Sequence, residues 1–508
     1  MGIKGYKASK DNTITNGFKL ISPTRGTGSN MGAADILEVY SIYGQQTTSS
    51  AELSRVLIQF PVDQVSSDRT AGTIPAKGNV NFYLRMYNAR HSEQLPRDFT
   101  VNVMAVSQSW QEGHGLDMDG YSDETGDRIE GSNWVNKDSN PAAKWNLPGG
   151  DYHSSSYIAG STMPNHTFTF KDGDEDLLVD VTDSVEEWID GTQTNNGFGV
   201  FLTSSQEAYV ANTLGADSQN ADGSSVLLNT AGQKKSFYTK RFFSRTSEFF
   251  FKRPSLEARW DSRIMDDRGS FYSSASIASA ADNINKLYLY NYIRGTLKDI
   301  PHSETLKVSL YASSNNTPVG NVLASATAGK YKTGIYSASI ALNTTSSVIH
   351  DVWSGSLGGE YKTGSIKVKS LADSCVLLAN DYNQFTTKVT NLKPNYAKDE
   401  VARFRVFSRP RNFSPTIYNV ASTEIQNVVF TSASFEVYRV VDNETVITNS
   451  TGSATRHTFL SYDESGSYFD LDMSLLEPDY MYGIRFLFYA SDGWREQSEK
   501  FNFRVEKR

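Results

Sequence analysis

The chain has a single cysteine, Cys375, so no intramolecular disulfide can staple it and a multi-thiolate zinc site cannot form. Cys375 lies in the apolar run Ser374-Cys375-Val376-Leu377-Leu378-Ala379 and reads as a small buried hydrophobe rather than a nucleophile. No stretch approaches the ~18 apolar residues that a membrane helix needs, and the N-terminal MGIKGYKASKDNTITNG has no apolar core of signal-peptide type. Gly2 is not followed by the Ser or Thr that a myristoylation signal carries at position 6, which holds Tyr6. Runs of Ala, Leu, Glu and Lys are missing, which excludes a helical bundle. Basic residues are not in excess: 49 Lys and Arg against 57 Asp and Glu leave a net charge of −8, so neither nucleic acid nor an anionic membrane is expected as a partner. Phosphate-binding loops, dinucleotide-binding glycine patterns, Gly-x-Ser-x-Gly elbows and His-Glu-x-x-His pairs are absent as well. No catalytic residue and no cofactor-binding residue is therefore expected, and the chain reads as a non-enzyme.

What is present is aromatic, polar and β-prone. Aromatic residues reach 12%, and Ser, Thr, Asn, Gly and Tyr are abundant, the composition of an all-β protein. At roughly 100–200 residues per domain, 508 residues make about three domains. The clearest local pattern is residues 179–202. Val179 and Val181 alternate with polar residues as a strand. Thr182-Asp183 offers an N-cap with Glu186 in capping-box position, and Val185, Trp188 and Ile189 share one helical face. Gly191 stands where a left-handed C-terminal residue belongs, and Asn196-Gly197 turns the chain into Phe198, Val200 and Leu202. Earlier strands are read at Ser54–Pro61, at Asn81–Tyr87 with Phe82, Leu84 and Met86 inward, and at Thr100–Ser107; Arg253–Trp260 reads as a last strand.

Taken in order, Arg-x-Leu-x-x-Phe from Arg55, Trp-x-Glu-Gly from Trp110, Trp-x-x-Pro-Gly-Gly-Asp from Trp145, Asp-Val-Thr-x-x-Val-x-x-Trp-x-x-Gly from Asp180 with Asn-x-Gly-Phe, then Ser-x-Glu and Arg-Pro-x-Leu, resemble the DNRLRE domain over about residues 10–262. The resemblance implies a jelly-roll β-sandwich with one short helix, residues 184–190, used as a surface or appendage module, and it transfers no catalytic residue. Two insertions, 113–143 and 205–245, are longer than loops of compact domains usually are and are the expected partner surfaces.

The domain plan is 1–262 as the jelly roll, 263–285 as a Ser/Ala-rich linker, 286–394 as an Ig-like sandwich and 395–508 as a fibronectin- or Ig-like sandwich. In the last, Leu476-Glu477-Pro478-Asp479-Tyr480-Met481-Tyr482 resembles the Leu-x-Pro-x-x-x-Tyr corner of such sandwiches. Residues 286–508 also resemble the C-terminal part of virion structural proteins of tailed phages, particularly those infecting marine cyanobacteria. That implies a structural protein of the neck or collar, the tail or baseplate, or the capsid exterior. It would be assembled in the host cytoplasm and present in several copies against other virion proteins.

Two site sets remain. The acidic loop with Asp117, Asp119 and Asp123 has closely spaced oxygens of the kind a structural calcium ion uses, but an EF-hand pattern is not met and a solvated acidic turn is the simpler account. Trp134 and Tyr152 are candidates for stacking on sugar rings, with packing within the sandwich as the competing account; stacking is the basis of an alternative reading as a carbohydrate-binding adhesin that recognises host glycans, and Trp145, inside the family motif, is assigned to packing.

Overall fold

The computed structural model describes residues 1–20, 24–42, 51–91, 95–121, 130–139, 141–153, 163–210, 229–301, 305–314, 322–370, 385–411, 417, 427–452, 455–490 and 493–507. Cys375 lies outside the described residues. The chain is all-β and divides into two units, Gly2–Trp260 and Asp261–Arg508, the latter together with Met1.

The first unit contains β1 (Ile3–Lys7), β2 (Lys10–Thr15), β3 (Ile36–Ile42), β4 (Glu52–Gln59), β5 (Asn81–Met86), β6 (Phe99–Ala105), β7 (Asn136–Ser139), β8 (Ala142–Lys144), β9 (His166–Phe170), β10 (Leu177–Asp180), β11 (Phe198–Leu202), β12 (Phe237–Phe243) and β13 (Ser255–Arg259). Its helices are α1 (Val62–Thr70) and α2 (Thr182–Ile189). Four antiparallel pairs nest like the arms of a long hairpin rolled up: β1 with β13, β4 with β11, β5 with β10, and β6 with β9. Successive pairs alternate between a sheet ordered β1-β13-β5-β10 and one ordered β12-β3-β4-β11-β6-β9, with β2 alongside β4. That alternation is the jelly roll. It follows from period-2 patterning, which gives each strand one inward row: Phe82, Leu84 and Met86 of β5 meet Val56, Ile58, Val101 and Val103 of the opposite sheet in one core.

Helix α2 closes that core. Val185 and Trp188 are buried, and the Trp188 ring lies 4.6 Å from Phe198. Gly191 has φ of +73°, and Gly197, at φ +83°, passes so close to β4 that a Cβ would stand 2.1 Å from the Ile58 carbonyl oxygen. Two expectations are corrected here. The helix begins without the expected capping box: Val181 is its N-cap, and Glu186 reaches away to Arg69 in two 2.6 Å hydrogen bonds. Among the described residues the unit also has two α-helices, where one was expected. In α1 only Val62 and Val65 are buried, and Ser66, Ser67 and Asp68 are poor helix formers. It is held by tertiary bonds instead, from Arg69 to Glu186 and from Tyr6 Oη and Lys4 Nζ to Asp68.

In the second unit, a bent sheet orders Phe271–Ser273, Glu360–Ser370, Val348–Gly355, Leu306–Tyr311, Val322–Lys332, Ile335–Ile340 and Asn285–Tyr290 around a core that includes the fully buried Trp353. The strand Val322–Lys332 carries the bend, pairing with Leu306–Tyr311 in its first half and with Ile335–Ile340 in its second. Two further sheets pack over residues 385–507, and there Tyr482 Oη donates to the Glu477 carbonyl at 2.8 Å, closing the expected corner. Phe385–Val389 pairs with Val401–Pro410, so this strand belongs with the C-terminal sandwich and not with the middle domain to which 286–394 assigned it.

Residues 263–285 are not a plain linker. Tyr462 N–H donates to the Ile264 carbonyl, and Asp266 N–H to the Tyr462 carbonyl. Tyr462 Oη and Lys286 N–H both donate to Asp267, at 2.8 and 2.6 Å. Arg268 grips Asp351 with two bonds of 2.8 and 2.5 Å, and Phe271 is fully buried. A segment poor in large apolar residues is thus fixed by polar bonds, which composition does not display.

Candidate functional site

The motif residues of the jelly roll gather behind β4, β6 and β11 in a second core of Trp110, Trp134, Trp145, Tyr152 and Phe201. At its centre is Arg55 of β4, whose side chain is 1% exposed. Its guanidinium donates to the Gly149 carbonyl and to both oxygens of Glu207, at 3.2–3.3 Å, and lies 4.8 Å from the Phe201 ring centroid and 5.5 Å from that of Trp134. Burial raises the Glu207 carboxyl above its ordinary range against the pull of Arg55. Asp151 accepts the Asn146 and Leu147 amides, folding Trp-x-x-Pro-Gly-Gly-Asp into a tight loop. Gly149 and Gly150 turn there at φ of +87° and +100°, where a Cβ on Gly149 would strike the Trp134 ring and one on Gly150 the Tyr152 ring. The motif is packing chemistry throughout.

This corrects the sugar-stacking assignment. Trp134 and Tyr152 are both 0% exposed, and Tyr152 Oη donates to the Gly149 carbonyl. A stacking platform needs an open ring face, and neither residue has one.

The open site lies farther along the same sheet, on the outward face of β3 and β12. A cavity of about 420 Å³ sits over β3 and β12 beneath the loop at 113–121. Alternation sends Leu37 and Val39 of β3 into the core and turns Ile36, Glu38 and Tyr40 outward to form the floor. Arg241 of β12 stands opposite Glu38 in register, with Nε 2.7 Å from Oε1. Leu116, Asp117, Met118 and Asp119 form the wall. Ser29 Oγ donates to the Met118 carbonyl, and the Tyr40 hydroxyl lies 2.6 Å from Thr15 Oγ1 and 3.7 Å from Met118 Sδ. Burial, outweighing the bond to Thr15, pushes the Tyr40 hydroxyl up to about 12, so it stays neutral at ordinary pH. Four carboxylates, Asp35, Glu38, Asp117 and Asp119, line the cavity against one cation, Arg241. Both long insertions contribute, the first through 116–119 and the second through Arg241.

The structure therefore brings two of the three calcium candidates to the cavity, while Asp123 lies outside the described residues. Asp117 Oδ1 accepts the amides of Asp119 and Tyr121, at 2.9 and 3.3 Å, and so shapes the loop. Among the described residues no group of three or more His, Cys, Asp or Glu side chains is placed to hold a metal ion.

Next to the cavity the chain makes an aromatic turn, just before the strand read at Arg253–Trp260, to which the sequence reading gave no role. Phe249 and Phe250 are 49% and 48% exposed. Phe249 meets Phe243 edge-on at 5.5 Å, Lys252 Nζ lies 5.4 Å from the Phe243 ring, and the Arg253 guanidinium lies 5.3 Å from the Phe250 ring. Phe243 pairs in register with Ile36 of the cavity floor, so turn and cavity are contiguous. The run Phe249-Phe250-Phe251-Lys252-Arg253 was the available signal.

No family model matches the chain, and no curated protein does. Among solved structures, it is similar to the adhesin InvE of Yersinia pseudotuberculosis at 12% identity, over 46% of this chain and 56% of that one, with a TM-score of 0.15. It is similar to a tandem of titin immunoglobulin domains at 11% identity, over 40% and 82% of the two chains, with a TM-score of 0.14. The FN1–FN3 domains of chicken CNTN1 align at 10% identity over 53% and 82%, also with a TM-score of 0.14. The all-β architecture stands on the strand pairing itself.

Proposed function

We propose that the protein is a non-enzymatic structural component of a tailed-phage particle, placed in the neck or collar, the tail or baseplate, or on the capsid exterior, and acting through contacts with other virion proteins. The observation that carries the contact role is the outward face of β3 and β12, where an acidic cavity and an exposed aromatic turn lie side by side on a rigid sheet. Interfaces are enriched in aromatic, Met and Arg side chains, and Met31, Met118, Arg241, Phe249 and Phe250 supply them here. The polar clamp at 264–268 supports a scaffold role for the second unit, because it ties the middle sheet to the C-terminal sandwich. The phage setting rests on the resemblance of 286–508 to tailed-phage virion proteins and on the motif order of 10–262. Mass spectrometry of purified particles, followed by a density map, tests the reading. The chain is expected in stoichiometric, symmetric copies, and its absence from particles overturns the proposal.

A further inference from the structure

We infer that the β3/β12 face pairs with the same face of a second copy of this chain, each copy seating its Phe249–Phe250 turn in the other's acidic cavity. The inference deepens the contact role proposed above, and rests on it, by naming the surface and the partner.

Charge complementarity carries it. The cavity has four carboxylates to one cation, over a floor and wall of Ile36, Leu116 and Met118. An occupant must therefore bring an apolar body with a positive charge beside it. The turn has that composition: two half-exposed phenylalanine rings with Lys252 and Arg253 at cation–ring distance from Phe243 and Phe250. A ring entering between the methionines replaces water with soft, adaptable contacts, while the neighbouring cations approach the carboxylates at the mouth. The cavity, about 420 Å³, falls within the ~300–1,000 Å³ of sites that enclose small ligands, ample for such a side chain.

Placement decides the symmetry. A turn and a cavity on opposite sides of the unit would give a head-to-tail contact that propagates into rings or filaments. Here the two adjoin on one face, joined through Phe243 and Ile36. A two-fold axis passing between them lets both insertions form at once, which is a closed, isologous pair.

The test is sedimentation of the purified full chain across a concentration series. The wild type is expected to form a dimer that weakens as salt is raised. Phe249→Ser with Phe250→Ser, at positions outside the core, is expected to weaken it about tenfold or more. Charge reversal gives the decisive arm. Asp35→Lys with Asp119→Lys makes the cavity positive, and Lys252→Glu makes the turn more negative, so each variant alone is expected to be monomeric. In an equimolar mixture both contacts become attractive, and the dimer returns. A wild type that stays monomeric up to about 1 mM, the weak end of specific association, or a dimer indifferent to all these changes, overturns the inference. Circular dichroism and melting of each variant confirm folding, so loss of the dimer is not confused with loss of structure. Neither negative result touches the particle assay, which tests the phage reading by itself.

Discussion

Replacing Arg55 by methionine removes the cation bonded to the buried Glu207 carboxylate, and its cost follows from the geometry. Arg55 is 1% exposed and bonds both oxygens of Glu207 as well as the Gly149 carbonyl. Methionine fills much of the same space but leaves a buried carboxylate without its counter-charge, which costs about 3–5 kcal/mol. For a unit of this size, where ~1 kcal/mol moves Tm by about 2–4 °C, the melting point should fall by about 6–20 °C. Trp110, Trp134, Trp145 and Trp188 all lie in the cores of this unit, so intrinsic fluorescence during denaturant and thermal unfolding reports on it. Burial already raises the Glu207 carboxyl, and without Arg55 it rises further, so the deficit should shrink when the melt is repeated near pH 5. Combining Arg55→Met with Glu207→Leu removes both charges, and the double variant should regain most of the loss. A single variant costing under ~1 kcal/mol, or a double variant costing as much as the sum of the two singles, refutes the assignment of this pair as a coupled buried ion pair.

Gly199→Ala would place a Cβ 2.0 Å from Tyr152 Cε1 in a site with no solvent-facing room; a loss of about 1–3 kcal/mol in denaturant unfolding is expected, and an unchanged midpoint would mean that the Tyr152 ring can move aside. Asp266 is pushed up to about 6, chiefly by burial, so its folded carboxyl binds a proton more tightly than the unfolded one. Its stabilising contribution is complete below about pH 4 and is lost as pH rises through about 6, by at most ~3 kcal/mol. Asp266→Asn keeps an acceptor for the Arg268 amide and should flatten that part of the stability–pH profile; an unaltered profile refutes the shift. Tyr482→Phe deletes the 2.8 Å bond to the Glu477 carbonyl and should cost the second unit about 1–2 kcal/mol, read from its melting transition, with no cost if water replaces the hydroxyl.

What was legible in the sequence was what local chemistry decides. Period-2 alternation placed Phe82, Leu84 and Met86 inward, Gly191 and Gly197 stand at positive φ, and the Leu476–Tyr482 corner closes through one short-range bond. What escaped depends on partners distant in the chain. Helix α1 has only two buried valines and leans on Glu186, 117 residues from Arg69. The segment 263–285 looked like a linker because Ser and Ala dominate it, yet Arg268 finds Asp351 83 residues away. Trp134 and Tyr152 were read as candidates for sugar stacking, against packing within the sandwich, because they sit in loop-rich sequence, but loops with glycines at positive φ can fold inward over a second core. Half of the candidate site was visible: Asp117 and Asp119 were singled out, but their meeting with Glu38 and Arg241 is a product of sheet register that no spacing reveals.

The jelly roll separates its two tasks by the direction its side chains face. Tyr238 and Phe242 of β12 and Leu37 and Val39 of β3 are buried in the main core and specify the fold of these two strands. On the same two strands the intervening residues, Ile36, Glu38, Arg241 and Phe243, form the outward face with its cavity and turn. Substitutions away from core and network positions usually change stability by no more than about 0.5 kcal/mol. The outward row can therefore be rewritten while the inward row holds the sheet. A residue at i tests folding and its neighbour at i+1 tests contact, so the two measurements can disagree, and their disagreement would be informative. If Asp119→Lys abolished folding rather than pairing, the 116–119 wall would belong to the scaffold and the contact face would have to lie elsewhere.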